Sequence, residues 1–448
     1  MPGARSWACP GCRWTSRSSP PGATPWARSG WPTGCARRSA LTSAWTGCCA
    51  ARGCGRWPWR LDAAGRAPAA TAPPSPEPLD AVRDRAPATY QQELMWHRQR
   101  QAPNPAAVHM AVRVDVTGPL DVPALTAAAD ALVARHEALR TRVVAGDGGA
   151  VQEVLPHRPV TVPVVDLPAT DADGVRAWCV ATGREPFPAD GPWLRARLAR
   201  LTGTGPHPAR AGHAADRWVL LMVVHHLCGD GWSMLQLLDE LGRAYAGAPP
   251  ERAPALRYVE HARRQRRAEV PPQVLRHWRN VLADLPPAAP LPTDRPRPAA
   301  LSGVGAEYAF TLPAELTDRL TRLAADAGLT LFPLLAAAYA RFVGELTGTR
   351  DVLLACPYAH RDRRELEAVV GLFTGTLPLR VRLRDGERLA DLAARLDAVF
   401  LDAVRHQPAP LPALYAAVDD GWRLGDPPPF TGALFTWNPG MPPLRLPG

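Results

Sequence analysis

One unbroken apolar run, Trp218–Val224 (WVLLMVV), constrains the fold of this chain more than any other feature. At that length it reads as a buried strand rather than a helix. It leads directly into His225-His226-Leu227-Cys228-Gly229-Asp230-Gly231. A helix is predicted from near Ser233, with Met234, Leu238, Leu241 and Tyr245 on one face and Gly247 as its C-terminal stop. Strand-to-helix loops are common places for reactive groups, because the sheet holds them rigidly. Neighbouring side chains of extended backbone point to opposite faces. The two histidines are therefore expected to diverge, one into the packing and one toward a cleft, which argues against a shared metal ion. From the residues alone two readings stand: packed core histidines with an aspartate shaping the turn, or one histidine free to act on a substrate.

The strand–helix alternation extends on both sides. Met110–Val116 alternates as a half-buried strand does. Asp121 is placed to cap a helix with Pro123 in its first turn and Leu125, Ala129, Leu132, Val133, His136 and Leu139 on one face. Val151–Leu155 and Val160–Val165 predict further strands. The proline-rich stretch Leu285–Pro298 reads as a boundary. Beyond it come a helix over Glu315–Ala327 closed by Gly328, a second from Thr330 through Val343, and strands over Val352–Cys356 and Leu377–Leu383. With 448 residues, the chain is two to three times a typical domain. The expected organisation is a leader and linker over residues 1–85, an N-terminal lobe over 86–284 and a C-terminal lobe over 285–448. The fold class is α/β, in a two-layer α+β arrangement.

Composition excludes several functions. The formal net charge of +10 comes from 52 basic residues, all of them arginine. Nine of these lie in residues 1–60, which hold no Asp or Glu, so the body is nearly neutral and nucleic acid is not an expected partner. The same 60 residues hold seven of the 15 tryptophans and six of the nine cysteines, without helical or strand periodicity. They read as a stretch that does not fold alone, coding sequence taken from a wrong start or frame. Cys9-Pro10-Gly11-Cys12 is half of a zinc site with no second half. No apolar run approaches the ~18–20 residues that span a membrane, and Met1–Pro10 lacks a signal-peptide core, so a cytoplasmic protein is expected. Metal, nucleotide and flavin motifs are absent, as is a Gly-Gly-x-Ser attachment site for a pantetheine arm.

The histidine segment resembles the HHxxxDG signature of condensation domains of nonribosomal peptide synthetases, which belong to the chloramphenicol acetyltransferase-like acyltransferases. Other segments follow in family order. Thr89–Trp96 resembles the opening AQxxxW segment, and Gly118–Asp121 with Arg135–Thr141 the next signature. Arg257–His261 is similar to a degraded YxDYA. Val370–Arg380 resembles GxFVNTLPLR, His406-Gln407-Pro408 the HQ segment, and Phe435–Asn438 the late FxxN.

The resemblance implies two chloramphenicol acetyltransferase-like lobes forming a V, with the histidine at the tunnel between them. It implies an amide-forming condensation between donor and acceptor peptidyl carrier proteins, alongside other synthetase modules. No cofactor is bound; the substrates arrive on phosphopantetheine arms. The implied catalytic segment is His225, His226, Asp230 and Gly231. Within it His226 acts, His225 packs, Asp230 holds the loop through Arg361, and backbone donors near Gly231 face the oxyanion. Asn438 and Trp232 are the implied channel-lining residues; Asn438 reads equally as a turn before Pro439, and Trp232 as the anchor of the following helix. The alternatives are a related ester-forming or epimerising acyltransferase, or a non-catalytic carrier-docking module or pseudogene fragment. Three features depart from the pattern: Gly375 stands where the family usually has asparagine, Cys228-Gly229 replaces the usual pair in the histidine signature, and the chain stops at Gly448 where the family continues.

Overall fold

The apolar run is the second strand of a four-stranded sheet, and its neighbours explain why every position in it is apolar. The structure, a computed structural model, describes residues 84–102, 104–203, 216–249, 254–285, 291–296, 305–407, 409–418, 421–422 and 432–438. All but the last two residues of the expected leader and linker, with its six cysteines, and half of the Leu285–Pro298 boundary lie outside these residues.

The first half opens with β1 (Arg85–Pro87) and α1 (Tyr90–Gln101), whose start is fixed by a reciprocal capping box between Thr89 and Gln92. β2 (His109–Thr117) follows, then α2 (Val122–Arg135), capped by the Asp121 side chain with Pro123 in its first turn. β3 (Thr141–Gly146) and β4 (Gly149–Val154) form a hairpin with β1 on its edge. β5 (Val164–Pro168), α3 (Ala172–Arg184), β6 (Leu194–Thr202) and β7 (Arg217–His225) complete the larger sheet, in the order β2-β7-β6-β5. β7 pairs antiparallel with β2 and β6, and places His109 opposite His225.

β7 is central, so both of its faces are covered. Leu220, Met222 and Val224 pack against α2 and α4 (Gly231–Tyr245) through Leu125, Leu132, Leu237 and Leu241. Val219, Leu221 and Val223 pack against α3 through Val175 and Cys179. Each such burial contributes ~1.5–3 kcal/mol, so the run anchors the loop that follows it. The strand expected over Val160–Val165 begins later, at Val164. Pro159 and Pro163 lack the N–H that a ladder needs; Val160 and Val162 are buried as irregular chain instead.

α5 (Tyr258–Arg267) and α6 (Pro272–Leu282) lead into the second half. α6 already belongs to its core: Trp278, 1% exposed, packs with Val274 and Leu282 among the apolar residues of the helices and strands that follow. These are α7 (Ala314–Asp326), α8 (Leu331–Thr347), β8 (Asp351–Tyr358), α9 (Arg364–Glu367), β9 (Gly375–Arg382), α10 (Leu389–Arg405) and α11 (Leu411–Val418). α8 runs past the expected Val343 and stops where Gly348 adopts φ +69°. β8 and β9 pair antiparallel, and residues 432–438 bridge to β8 at Ala355.

Candidate active site

β7 ends at His225, and His226 opens a single 3-10 turn through Cys228. The two histidines therefore part because the strand gives way to a turn, not by strand alternation. His225 is 1% exposed, among the rings of His109, Phe187 and Trp193 at centroid distances of 5.6, 5.8 and 5.2 Å. Its Nδ1 accepts the Leu227 N–H at 3.2 Å, and its Nε2 has no hydrogen-bond partner. Burial, reinforced by His109 and His226, pushes its pKa down to about 3, so the ring is neutral.

His226 is half-buried, and its Nδ1 lies 2.9 Å from the Gly229 carbonyl oxygen. A carbonyl only accepts, so Nδ1 carries the proton. In the neutral ring Nε2 then keeps its lone pair. The turn thus sets the tautomer of the histidine it presents. Cys228 is buried with its thiol pushed well up by desolvation, the opposite of an activated nucleophile.

Asp230 is fully buried and caps α4. Its Oδ1 accepts from the Ser233 N–H and hydroxyl, both at 2.9 Å, and from Arg361 Nη2 at 3.1 Å. Its Oδ2 accepts from Arg361 Nη1 at 2.8 Å, Phe373 N–H at 3.0 Å, and the N–H and hydroxyl of Thr374, both at 3.1 Å. Burial alone would raise this carboxyl's pKa; the Arg361 guanidinium and the backbone donors outweigh it and hold it below the ordinary carboxylate range. Arg361 is sealed in turn, its guanidinium 4.3 Å from the Phe373 ring centroid. The carboxylate therefore ties the loop after β7 to residues 361–374 of the second half, and both of its oxygens are occupied by that work.

Gly231 is the first residue of α4. Trp232 donates its indole N–H to the Glu367 carbonyl at 3.0 Å, tying the start of α4 to α9. Asn438 sits half-buried at the end of the segment bridged to β8. Sequence reasoning missed Ser233, whose hydroxyl also joins the backbone of Gly371. It also missed Thr374 as a second anchor of Asp230. A hydroxyl three residues after a capping aspartate is a visible signal for the first; nothing local signals the second.

Among the described residues one group has metal-ligand chemistry: His277, Asp402 and His406. The two rings stack at 3.6 Å with planes 7° apart. Imidazole lone pairs lie in the ring plane, so rings held this way cannot aim both at one ion.

The family model of the condensation domain matches residues 82–421. The chain is 34% identical over 358 residues to phosphinothricin tripeptide synthetase PhsB of Streptomyces viridochromogenes, covering 77% of this chain and 29% of that one. It is 32% identical over 359 residues to chondramide synthase cmdD of Chondromyces crocatus, covering 77% of this chain and 9% of that one. It thus spans a small part of these relatives. A solved four-domain nonribosomal peptide synthetase, in its holo form with AMP and glycine, superposes with a TM-score of 0.68 over 79% of this chain and 26% of that one, at 21% identity. The first condensation domain of the CDA synthetase gives 0.65 over 81% and 84%, at 21% identity. The α/β class and the paired chloramphenicol acetyltransferase-like lobes expected from the sequence are the fold of these structures.

Proposed function

The chain belongs to the condensation-domain family of nonribosomal peptide synthetases, and from that membership we propose that it joins a carrier-bound acyl donor to the amine of a carrier-bound aminoacyl acceptor. The acceptor nitrogen attacks the donor thioester carbon; the C–N bond forms, the C–S bond breaks, and the donor arm leaves as a thiol. One proton moves from the nitrogen to the departing sulfur, and His226 Nε2 is the group we assign to carry it. The observation that carries this assignment is the Gly229 carbonyl fixing the proton on Nδ1.

An α-amine with pKa ~7.7–8.0 is already about a quarter to two-fifths neutral near pH 7.5, so no strong base is needed before attack. A general base adds ~10²–10⁴-fold, whereas holding two tethered reactants in line is worth an effective molarity of ~10⁵–10⁸ M. Positioning is therefore the larger contribution. Asp230 acts at one remove, by fixing the loop, and so does Arg361. We assign His225 to packing beneath the turn, the Gly231 N–H at the start of α4 to the oxyanion, and Asn438 and Trp232 to the channel walls.

The partners under this reading are a donor and an acceptor peptidyl carrier protein of a larger synthetase, each presenting a phosphopantetheine arm, and the setting is the cytoplasm. No single helix among the described residues is long and apolar enough to cross a membrane. The test is incubation of the purified chain with two differently aminoacylated carrier proteins and intact-mass analysis. Dipeptidyl mass on the acceptor carrier is the expected result. An ester formed only with a hydroxyl-bearing acceptor would move the chain to the ester-forming branch; carrier binding without any product would make it a docking module.

A further inference from the structure

Two unusual residues meet at a cavity of about 370 Å³ between the halves, within the ordinary range for small-molecule sites: His360 lines it, and Gly375 lies against that ring. One is Gly375, the position that departs from the family's asparagine. A Cβ built there would come to 2.5 Å from His360 Nε2 and 2.9 Å from its Cδ2. No other residue at 375 is compatible with the imidazole where it now sits. The second is His360 itself, which holds φ +48°, a left-handed conformation uncommon outside glycine. Its ring stands edge-on to Tyr358 at 5.3 Å. The pair is coupled through volume: the His360 ring stands where a side chain at 375 would have to go.

The cavity also holds polar atoms with nothing to bind. His261 Nδ1, on the facing wall from α5, is buried without a hydrogen-bond partner. Gln407 Oε1, whose side chain is within reach of His360, has no well-formed bond either. Burial, as the largest cause, depresses both imidazoles to about 4, so both present an uncharged ring with one donor and one acceptor. The charged rim is balanced: Arg264 and Arg363 share Glu365 at 3.4 and 3.0 Å, and Asp362 and Glu269 stand beside them. An ionised ligand would find no net counter-charge there, and an aliphatic one would leave the polar atoms unpaired.

We propose that His360, seated over Gly375, is a specificity-determining residue that selects an aminoacyl group with an uncharged hydrogen-bonding side chain, a hydroxyl or carboxamide, for this cavity. The assignment rests on the condensation reading for its substrate class. A site built to hydrogen-bond a substrate group discriminates strongly against the analogue that lacks it.

The test uses the full chain and hydrolysis-resistant thioether mimics of threonyl- and valyl-pantetheine, near-isosteres differing by hydroxyl against methyl. Titration calorimetry should give a Kd for the threonyl mimic ~10–100-fold below that of the valyl mimic. His360→Gly suits φ +48° and so keeps the fold, which a melting curve checks. It should bring the two Kd values within about threefold of each other. Gly375→Asn, which displaces the ring, should do the same. A ratio near one in the unmodified chain, or a ratio unchanged in folded His360→Gly, would overturn the inference. Failure to make amide from any loaded acceptor, with the Kd ratio intact, would remove the condensation reading and leave this one standing.

Discussion

Thr374 and Gly375 are adjacent, yet they belong to regions under opposite constraints. Thr374 gives its N–H and hydroxyl to Asp230, in a buried network joining the loop after β7 to the second half. Gly375 gives only space, which His360 fills at the cavity wall. In the first region every lone pair of one carboxylate is used, and removing any partner strands a charge away from water. In the second, the His360 ring stands in the space that a side chain at 375 would need. The lesson is that the lobe-joining network is tied by electrostatic necessity, while at the cavity wall two positions are tied by volume alone.

Three measurements sharpen or break that contrast. The largest effect belongs to Asp230→Ala, which leaves Arg361 buried and unpaired. Breaking such a pair costs ~3–5 kcal/mol, so the urea midpoint should fall steeply and soluble yield with it. A variant as stable as the parent would show that the network does not hold the halves. Next comes acid. His225, His261 and His360 are depressed to about 3, 4 and 4, against an ordinary value near 6.5. Below pH 6.5 the unfolded chain takes protons that the native chain refuses until pH 3–4. Their stabilising contribution is therefore whole above pH 6.5 and lost progressively as pH falls toward 4. Asp230, held below the carboxylate range, gives way only at still lower pH. Melting temperature should decline across the histidine window, less in His360→Gly, and a flat profile from pH 7 to 4.5 would contradict the burial of these rings. The smallest effect is Trp232→Phe, which removes the bond to Glu367 and keeps the ring; the expected loss is ~0.5–1.5 kcal/mol by chemical denaturation.

Much of this architecture was legible in the residues. The WVLLMVV run read as a buried strand, and Asp121 announced the helix it caps. The histidine segment and Arg361 were identifiable through the family pattern. The less legible parts are those set by long-range geometry. Val160–Val162 has strand composition but sits between Pro159 and Pro163, which cannot donate to a ladder. α6 precedes the proline-rich stretch, yet Trp278 draws it into the second core. His360 carries no local sign that its backbone is left-handed, and Gly375 reads as a defect until the ring above it is seen. Cavity walls are assembled from distant segments, so coupling across them is invisible along the chain.

The central claim is that the turn after β7 presents His226 Nε2 as a proton acceptor to an amine and a thioester held in line. Single-turnover amide formation between pre-loaded donor and acceptor carriers, compared for the parent chain and His226→Ala at equal folded concentration, tests it most directly. The expected result is a rate lower by ~10²–10⁴-fold with slow condensation remaining, since positioning survives the loss of the base. Equal rates in the two proteins would contradict the account and take His226 out of the chemistry.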